Sequence, residues 1–303
     1  MRPFRWPAAR VAAVVSSLVP MLAPLLIAAP AAAAAPRFNL QADAFVDDAQ
    51  GRSYDLNLQF SPADWLTLAI GAGQSSSSLV ATDFDGRSVH GGIDARRGRF
   101  SGGLHASQWD DSDQFTSRIA GGRLAVAFAD AFEAGLLLES RQLEVGYTAT
   151  GLLGRTSRQK VRFDGSGIGA ELGWYGNAWS GYLRGVAYDY DDQLDRVISA
   201  SRAPSTRAFP RVASLVNSVL TRTAGALDYQ ASLGVDRAFA RSGLGLDLMR
   251  SSDAITGDDS TSLSASWRYD LNARLGLQAT LGLTETDGLD SIGFAGLGFS
   301  FRN

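Results

Sequence analysis

From Phe38 to Phe301 the chain repeats one pattern: apolar side chains at alternate positions, with polar ones between them. Phe38-Leu40-Ala42-Ala44-Val46 is interleaved with Asn39, Gln41 and Asp43, and Tyr54-Leu56-Leu58-Phe60 with Asp55, Asn57 and Gln59. Successive side chains of a strand point to opposite faces, so each run predicts a strip that is apolar on one side and polar on the other. Further runs start at Leu66, Val89, Phe100, Leu124, Phe132, Ile168, Trp179, Leu227, Leu244, Leu263, Leu275 and Ala295, which makes fourteen strands.

The connections alternate in length. Those at 61–64, 97–98, 129–131, 176–178, 237–241 and 270–273 are short, while those at 74–86, 109–114, 149–160, 191–222 and 252–259 are longer. An even number of antiparallel strands with short turns at one end and long loops at the other predicts an all-β, antiparallel transmembrane barrel. The count is fourteen, with twelve or sixteen as alternatives. A soluble sandwich or lipocalin-like barrel shares the alternation and is a poorer match to the loop asymmetry. The parity of the apolar positions slips between Leu138 and Leu143 and again between Phe163 and Ile168, which a bulge or an extended extracellular hairpin explains.

The first 36 residues are a different material and hold six of the nine prolines. Arg2, Arg5 and Arg10 precede an apolar run at 11–27 and the alanine tract at 31–35, the organisation of a cleaved signal peptide over 1–35 ahead of a barrel over 36–303. Pro20, Pro24 and the alanine tract make a transmembrane anchor the weaker reading. Losing that segment removes three arginines and no acid, so the formal charge falls from -3 to -6, which argues against nucleic acid as a partner. Cysteine is absent, so no disulfide framework exists. The remaining prolines, Pro62, Pro204 and Pro210, fall in connections, as expected where lipid offers no substitute for a missing backbone N–H.

Aromatic side chains gather beside the short turns: Phe60, Trp65, Phe100, Phe128, Phe132, Trp174, Trp179, Phe239, Tyr269 and Phe301. Amphipathic rings settle at the headgroup level, which marks this as the periplasmic girdle. With these features the chain resembles bacterial outer-membrane β-barrels of the porin-like kind over essentially the whole of 36–303. Gly296, Phe299 and Phe301 look like the C-terminal insertion signal of that class, although the chain continues through Arg302 and Asn303. The resemblance implies residence in the outer membrane, contact with its lipid and lipopolysaccharide, delivery by the barrel-insertion machinery through the last strand, and a monomer that passes small solutes.

If apolar positions face lipid, the alternate set lines the lumen. Its charges are Asp43, Asp55, Asp94, Arg96, Arg123, Glu133, Glu139, Glu171, Arg184, Asp228, Asp236, Asp247, Arg268 and Arg274. They either pair into a plug or line a hydrated channel; fourteen strands and small inward residues such as Gly167, Gly169, Ser264 and Ser266 favour the channel. An apolar periodicity through Val212, Leu215, Val216, Val219 and Leu220 predicts a short helix in the 191–222 connection, placed to constrict the lumen or cap its rim.

A two-residue turn at Arg97-Gly98 sets the histidines, His90 and His105, opposite each other on the lumen face. The ordinary expectation is two solvated wall residues. A similar lumen pair accompanies acid gating in small fourteen-stranded porins, which this chain resembles in size, so His90 and His105 are also a candidate pH-sensing pair. Two histidines without a third ligand make no convincing metal site, and no cofactor motif is present.

The function expected is passive diffusion of small hydrophilic solutes or ions, and not catalysis. An accessory barrel for envelope assembly or for polysaccharide or lipid export is the alternative. A lipid hydrolase built on His105 and Ser107 is a distant third.

Overall fold

The computed structural model describes residues 37–48, 50–79, 82–111, 115–150, 156–191 and 225–303. They form fourteen strands: β1 (Arg37–Asp47), β2 (Arg52–Ala63), β3 (Leu66–Leu79), β4 (Thr82–Arg97), β5 (Phe100–Asp111), β6 (Phe115–Phe128), β7 (Phe132–Thr150), β8 (Thr156–Tyr175), β9 (Trp179–Tyr190), β10 (Leu227–Ala238), β11 (Ser242–Asp253), β12 (Asp259–Asp270), β13 (Leu275–Thr286) and β14 (Ile292–Arg302). Each strand pairs antiparallel with its sequence neighbours, and β1 pairs with β14, so the sheet closes. Closure leaves no row of unpaired backbone groups, the condition for a sheet to cross hydrocarbon. The predicted signal segment and most of the 191–222 connection, with its apolar periodicity, lie outside the described residues.

The alternation sorts as the strands demand. Leu297 is 71% exposed, Leu281 66% and Ile70 64%, values that suit a lipid-facing surface. The aromatic side chains form contacting groups around the short-turn end: Phe128 with Phe132 (centroids 5.8 Å apart), Phe38 with Phe301 (5.6 Å), and Arg237 over both Trp179 and Phe239 (5.0 and 4.9 Å). Pro62 falls inside the end of β2 and not in a free turn. The ladder with β3 skips from Phe60 to Ala63 there, and this bulge spares the hydrogen bond that proline cannot donate.

Strands run well past their apolar runs. Most of the predicted connection at 74–86 is paired strand, Gln74 facing Arg87 and Leu79 facing Thr82. Likewise 109–111 belong to β5 and 149–150 and 156–160 to β7 and β8. The two last strands have 19 and 20 residues, against the roughly 9–11 that span a bilayer. Above the lipid both faces of a strand meet water, so the period-two signal fades while the hydrogen-bonded ladder continues.

The parity slip has the same origin. The β7–β8 ladder is unbroken from Phe132–Trp174 to Thr150–Thr156, with Leu138 facing Ile168 and Leu143 facing Phe163. No bulge resets the register; it is an extended hairpin. Leu143 and Phe163 therefore point inward, and both have no exposed surface.

Candidate functional site: the lumen wall

Two walls of different construction line the interior. On β4–β9 the charges are neutralised in a network near the short-turn end. The Arg123 guanidinium is held by both Glu133 and Glu171, and its Nη1 donates to Ser101 Oγ at 3.0 Å. Ser101 Oγ in turn donates to Glu133 Oε2 at 3.2 Å, and Arg96 Nη2 lies 3.4 Å from the same oxygen. Arg184 faces Glu171 in the β8–β9 ladder. One guanidinium between two carboxylates, with a second arginine beside them, leaves this stretch of wall close to neutral and rigidly cross-braced.

Higher on the same wall the inward face becomes apolar. Trp109, Phe115, Leu143, Val145 and Phe163 pack with Ala226 and Ile255 into one buried cluster, and Leu137, Val186, Tyr188 and Leu227 form a second. Ile255 is delivered by the turn after β11. There the Asp253 carboxylate accepts from Ile255 N (2.9 Å), Thr256 N (2.7 Å) and Thr256 Oγ1 (3.1 Å), and Ala254 N donates to Ala226 O at 2.8 Å. Arg141, only 3% exposed, is the polar centre: it pairs with Glu139, donates to Gly225 O at 2.9 Å and to Tyr188 Oη at 3.0 Å, and lies 4.3 Å from the Tyr188 ring. A buried guanidinium is tolerable only when several acceptors surround it, and this one has them. The result is a small core inside the barrel that draws the β5–β8 wall and the β11–β12 turn together over one side of the long-loop mouth.

The second wall, β10–β14 with β1–β2, is built otherwise. Ser262, Ser264, Ser266, Thr280, Thr284 and Gln278 present hydroxyls and an amide. Asp43 faces Asp55 directly across the β1–β2 ladder, and Asp236 and Asp247 are diagonal neighbours on β10 and β11, each set against a glycine of the other strand. Asp43 accepts from Gln41 Nε2 at 2.8 Å and Asp247 from Tyr182 Oη at 2.7 Å, both neutral donors. Opposed carboxylates repel in an isolated strand pair. Among the described residues, none of these four has a salt-bridge partner. Arg268, exposed and two residues from the short-turn end of β12, is a cation of the same wall.

The histidine geometry corrects the expected pairing. The turn is Gly98-Arg99, with Gly98 at φ +59°, and Arg97 pairs with Phe100. Glycine at the first position of a two-residue turn supplies the positive φ that such hairpins need. The register therefore moves by two: His90 faces Ser107, and His105 faces Gly92. The imidazoles also lean apart, His90 over Gly71 of β3 and His105 over Gly121 of β6, where a Cβ on either glycine would collide with the ring. His90 Nε2 is 3.4 Å from Asn57 Nδ2. The two rings are not a face-to-face pair.

Other expected residues are placed as follows. Glu139 joins Arg141, and Asp94 stands on the inward side of β4 against Gly103 of β5. Asp228 sits at an irregularity, since the β10–β11 register skips from Leu227 to Tyr229; Leu227 is the buried residue there and Asp228 is exposed. Arg274 stands in the short turn before β13, outside the strands. Phe299 and Phe301 lie on the outward side of β14, whereas Gly296 faces inward and leaves room for the Phe45 ring. The extra residues after Phe301 help close the barrel. Arg302 faces Asn39 and pairs with Asp270, and Asn303 N donates to Phe38 O at 3.0 Å.

Sequence reading missed the inward roles of Arg141, Trp109, Phe115, Tyr182 and Tyr188. The parity slip at Leu143 and Phe163 was the available signal: apolar residues on the lumen parity imply something apolar opposite them.

No protein-family model matches the sequence, and no curated protein matches it. Among solved structures the chain is similar to the CymD monoaromatic hydrocarbon channel, with 10% identity, 88% of each chain covered and a TM-score of 0.49. It is similar to a loop L8 deletion mutant of OmpT of Vibrio cholerae, with 10% identity, 89% of this chain and 98% of that one covered, and a TM-score of 0.46. It is also similar to OccK11 of Pseudomonas aeruginosa, with 11% identity, 88% and 95% covered, and a TM-score of 0.43. At these identities the likeness concerns the barrel fold and does not extend to a solute.

Proposed function

We propose that the protein is a monomeric outer-membrane diffusion channel for small hydrophilic solutes or ions, with a preference for cations. The observation that carries this reading is the wall with Asp43 opposite Asp55 and Asp236 diagonal to Asp247, four carboxylates that form no salt bridge among the described residues, inside a closed barrel whose outer surface is apolar. Hydrated cations relieve the repulsion between such groups, and hydroxyl and amide side chains beside them replace part of a hydration shell. The neutralised β4–β9 wall contributes little net field, so permeant ions follow the β10–β2 side.

Reconstitution into planar bilayers under a KCl gradient tests this. Stepwise conductance with a reversal potential favouring K⁺ is expected. The combined substitution Asp43→Asn, Asp55→Asn, Asp236→Asn and Asp247→Asn should reduce the K⁺/Cl⁻ permeability ratio several-fold while the folded protein keeps its heat-modifiable gel migration. A sealed bilayer at saturating protein would overturn the channel reading. An unchanged permeability ratio in the variant would overturn the role of this wall.

A further inference from the structure

Two aromatic side chains break the polar parity of the second wall. Phe45 of β1 and Phe294 of β14 occupy inward positions, both half-buried, on the side of the barrel that otherwise presents hydroxyls, amides and carboxylates. The Phe45 ring lies over Gly296 of β14 and the Phe294 ring over Gly282 of β13, where a Cβ on either glycine would collide with it. Gly296 faces Thr280, two residues before Gly282 on β13. The two rings therefore cover diagonal positions, about 7–8 Å apart by sheet geometry. A group placed midway lies inside the roughly 6 Å from each ring centre at which a π face attracts a cation.

Asp43 stands directly below the rings. Its carboxylate lies over Gly298, the next inward position of β14 after Gly296 and about 7 Å further toward the short turns by strand rise. Its hydrogen-bond donor is the neutral Gln41 Nε2, at 2.8 Å. The cation of this row, Arg268, is three strands away through Gly298 and Gln278, and it leans over Gly243 on its far side. Arg302, nearer the short turns, is paired with Asp270. On β13 the Gln278 amide reaches Thr280 Oγ1 at 3.5 Å, so the border of this alcove is tied to itself.

We propose that Phe294, Phe45 and Asp43 form a binding site for organic ammonium ions, such as small alkylamines and quaternary ammonium compounds. Aromatic faces attract a cation whose charge is spread over apolar substituents. A potassium ion is held by oxygen ligands, which phenyl rings do not supply. A solute entering from the long-loop end meets Phe294, then Phe45, and then the carboxylate beneath them, so its apolar shell covers the rings while its charge descends toward Asp43. The proposal names a solute class for the cation-preferring wall and rests on that reading for its place in transport; binding itself does not require conduction.

The test titrates the full mature barrel, folded in detergent, with choline and with its uncharged isostere 3,3-dimethylbutanol, followed through the ligand methyl resonances by saturation-transfer NMR. Choline should bind at least tenfold more tightly than the isostere, and an equal concentration of K⁺ should not displace it. The combined variant Phe45→Leu and Phe294→Leu keeps apolar volume, removes both π faces and should weaken choline about tenfold. Asp43→Asn should weaken choline by a similar factor and leave the isostere unchanged. Heat-modifiable gel migration checks that each variant is folded. Equal binding of the two probes overturns the ammonium assignment. Displacement by equimolar K⁺, or unchanged choline binding in the leucine variant, overturns the role of the rings. Choline binding with a sealed bilayer removes the conduction reading alone, and conduction without choline binding removes this site alone.

Discussion

The two lumen walls solve one problem in opposite ways. On β4–β9 the inward wall is tied together by protein contacts, first through the Arg123 network with Glu133, Glu171 and Ser101 and then through the apolar cluster beside Arg141. On β10–β14 and β1–β2, Asp43 and Asp247 have neutral donors for neighbours, and neither they nor Asp55 and Asp236 form a salt bridge among the described residues. The first wall behaves like the core of a soluble protein placed inside a barrel. The second behaves like a surface folded inward. The braced groups and the unpaired carboxylates thereby occupy different arcs of one sheet.

The largest test of that contrast is truncation of the internal core. Phe163→Ala removes a side chain with no exposed surface and should destabilise the barrel by about 3–5 kcal/mol, measured by urea unfolding in lipid vesicles. Ser264→Ala on the opposite wall should fall within about 0.5 kcal/mol of wild type. Comparable losses for the two would erase the distinction between the walls.

Arg141→Met comes next. It strips Glu139 of its cation and releases Gly225 O, and breaking one partner of a buried pair costs about 3–5 kcal/mol. The double variant Glu139→Gln, Arg141→Met should recover part of that loss, because no buried charge is then left alone. Bilayer recordings should show a larger single-channel conductance for Arg141→Met, since the tie across that side of the mouth is gone. An unchanged conductance would mean that the tie sits outside the permeation path.

The smallest expected effect concerns the histidines. With His90 and His105 on diagonal positions and their rings turned apart, repulsion between the protonated forms is below about 0.5 kcal/mol in water-like surroundings. A double-mutant cycle of His90→Ala and His105→Ala on unfolding stability at pH 5 should give a coupling indistinguishable from zero. A coupling above about 1 kcal/mol would restore the pair as a unit.

Fourteen strands, their order and the orientation of most side chains were legible because lipid imposes a strict chemical sorting on alternate residues. The same cause explains what was not legible. Where the strands rise above the hydrocarbon, at Gln74–Leu79 or in the upper half of β7 and β8, both faces meet water or protein and alternation carries no message. The histidine register failed for a different reason: which two residues form a two-residue turn depends on the backbone angle that Gly98 adopts, and a shift of two preserves every inward–outward assignment while moving each cross-strand partner. Parity was readable where exact pairing was not.

What the amino-acid order determines by itself is therefore the sheet and its two faces, since each residue's side follows from local geometry and a two-phase environment. What only the tertiary structure decides is which inward residues meet. Arg123 lies between carboxylates 10 and 48 residues away, and Arg141 reaches a carbonyl 84 residues along the chain. Those contacts depend on barrel closure and on strand heights set by the whole ladder, and they separate a braced, core-like wall from one whose carboxylates Asp43, Asp55, Asp236 and Asp247 have no salt bridge among the described residues.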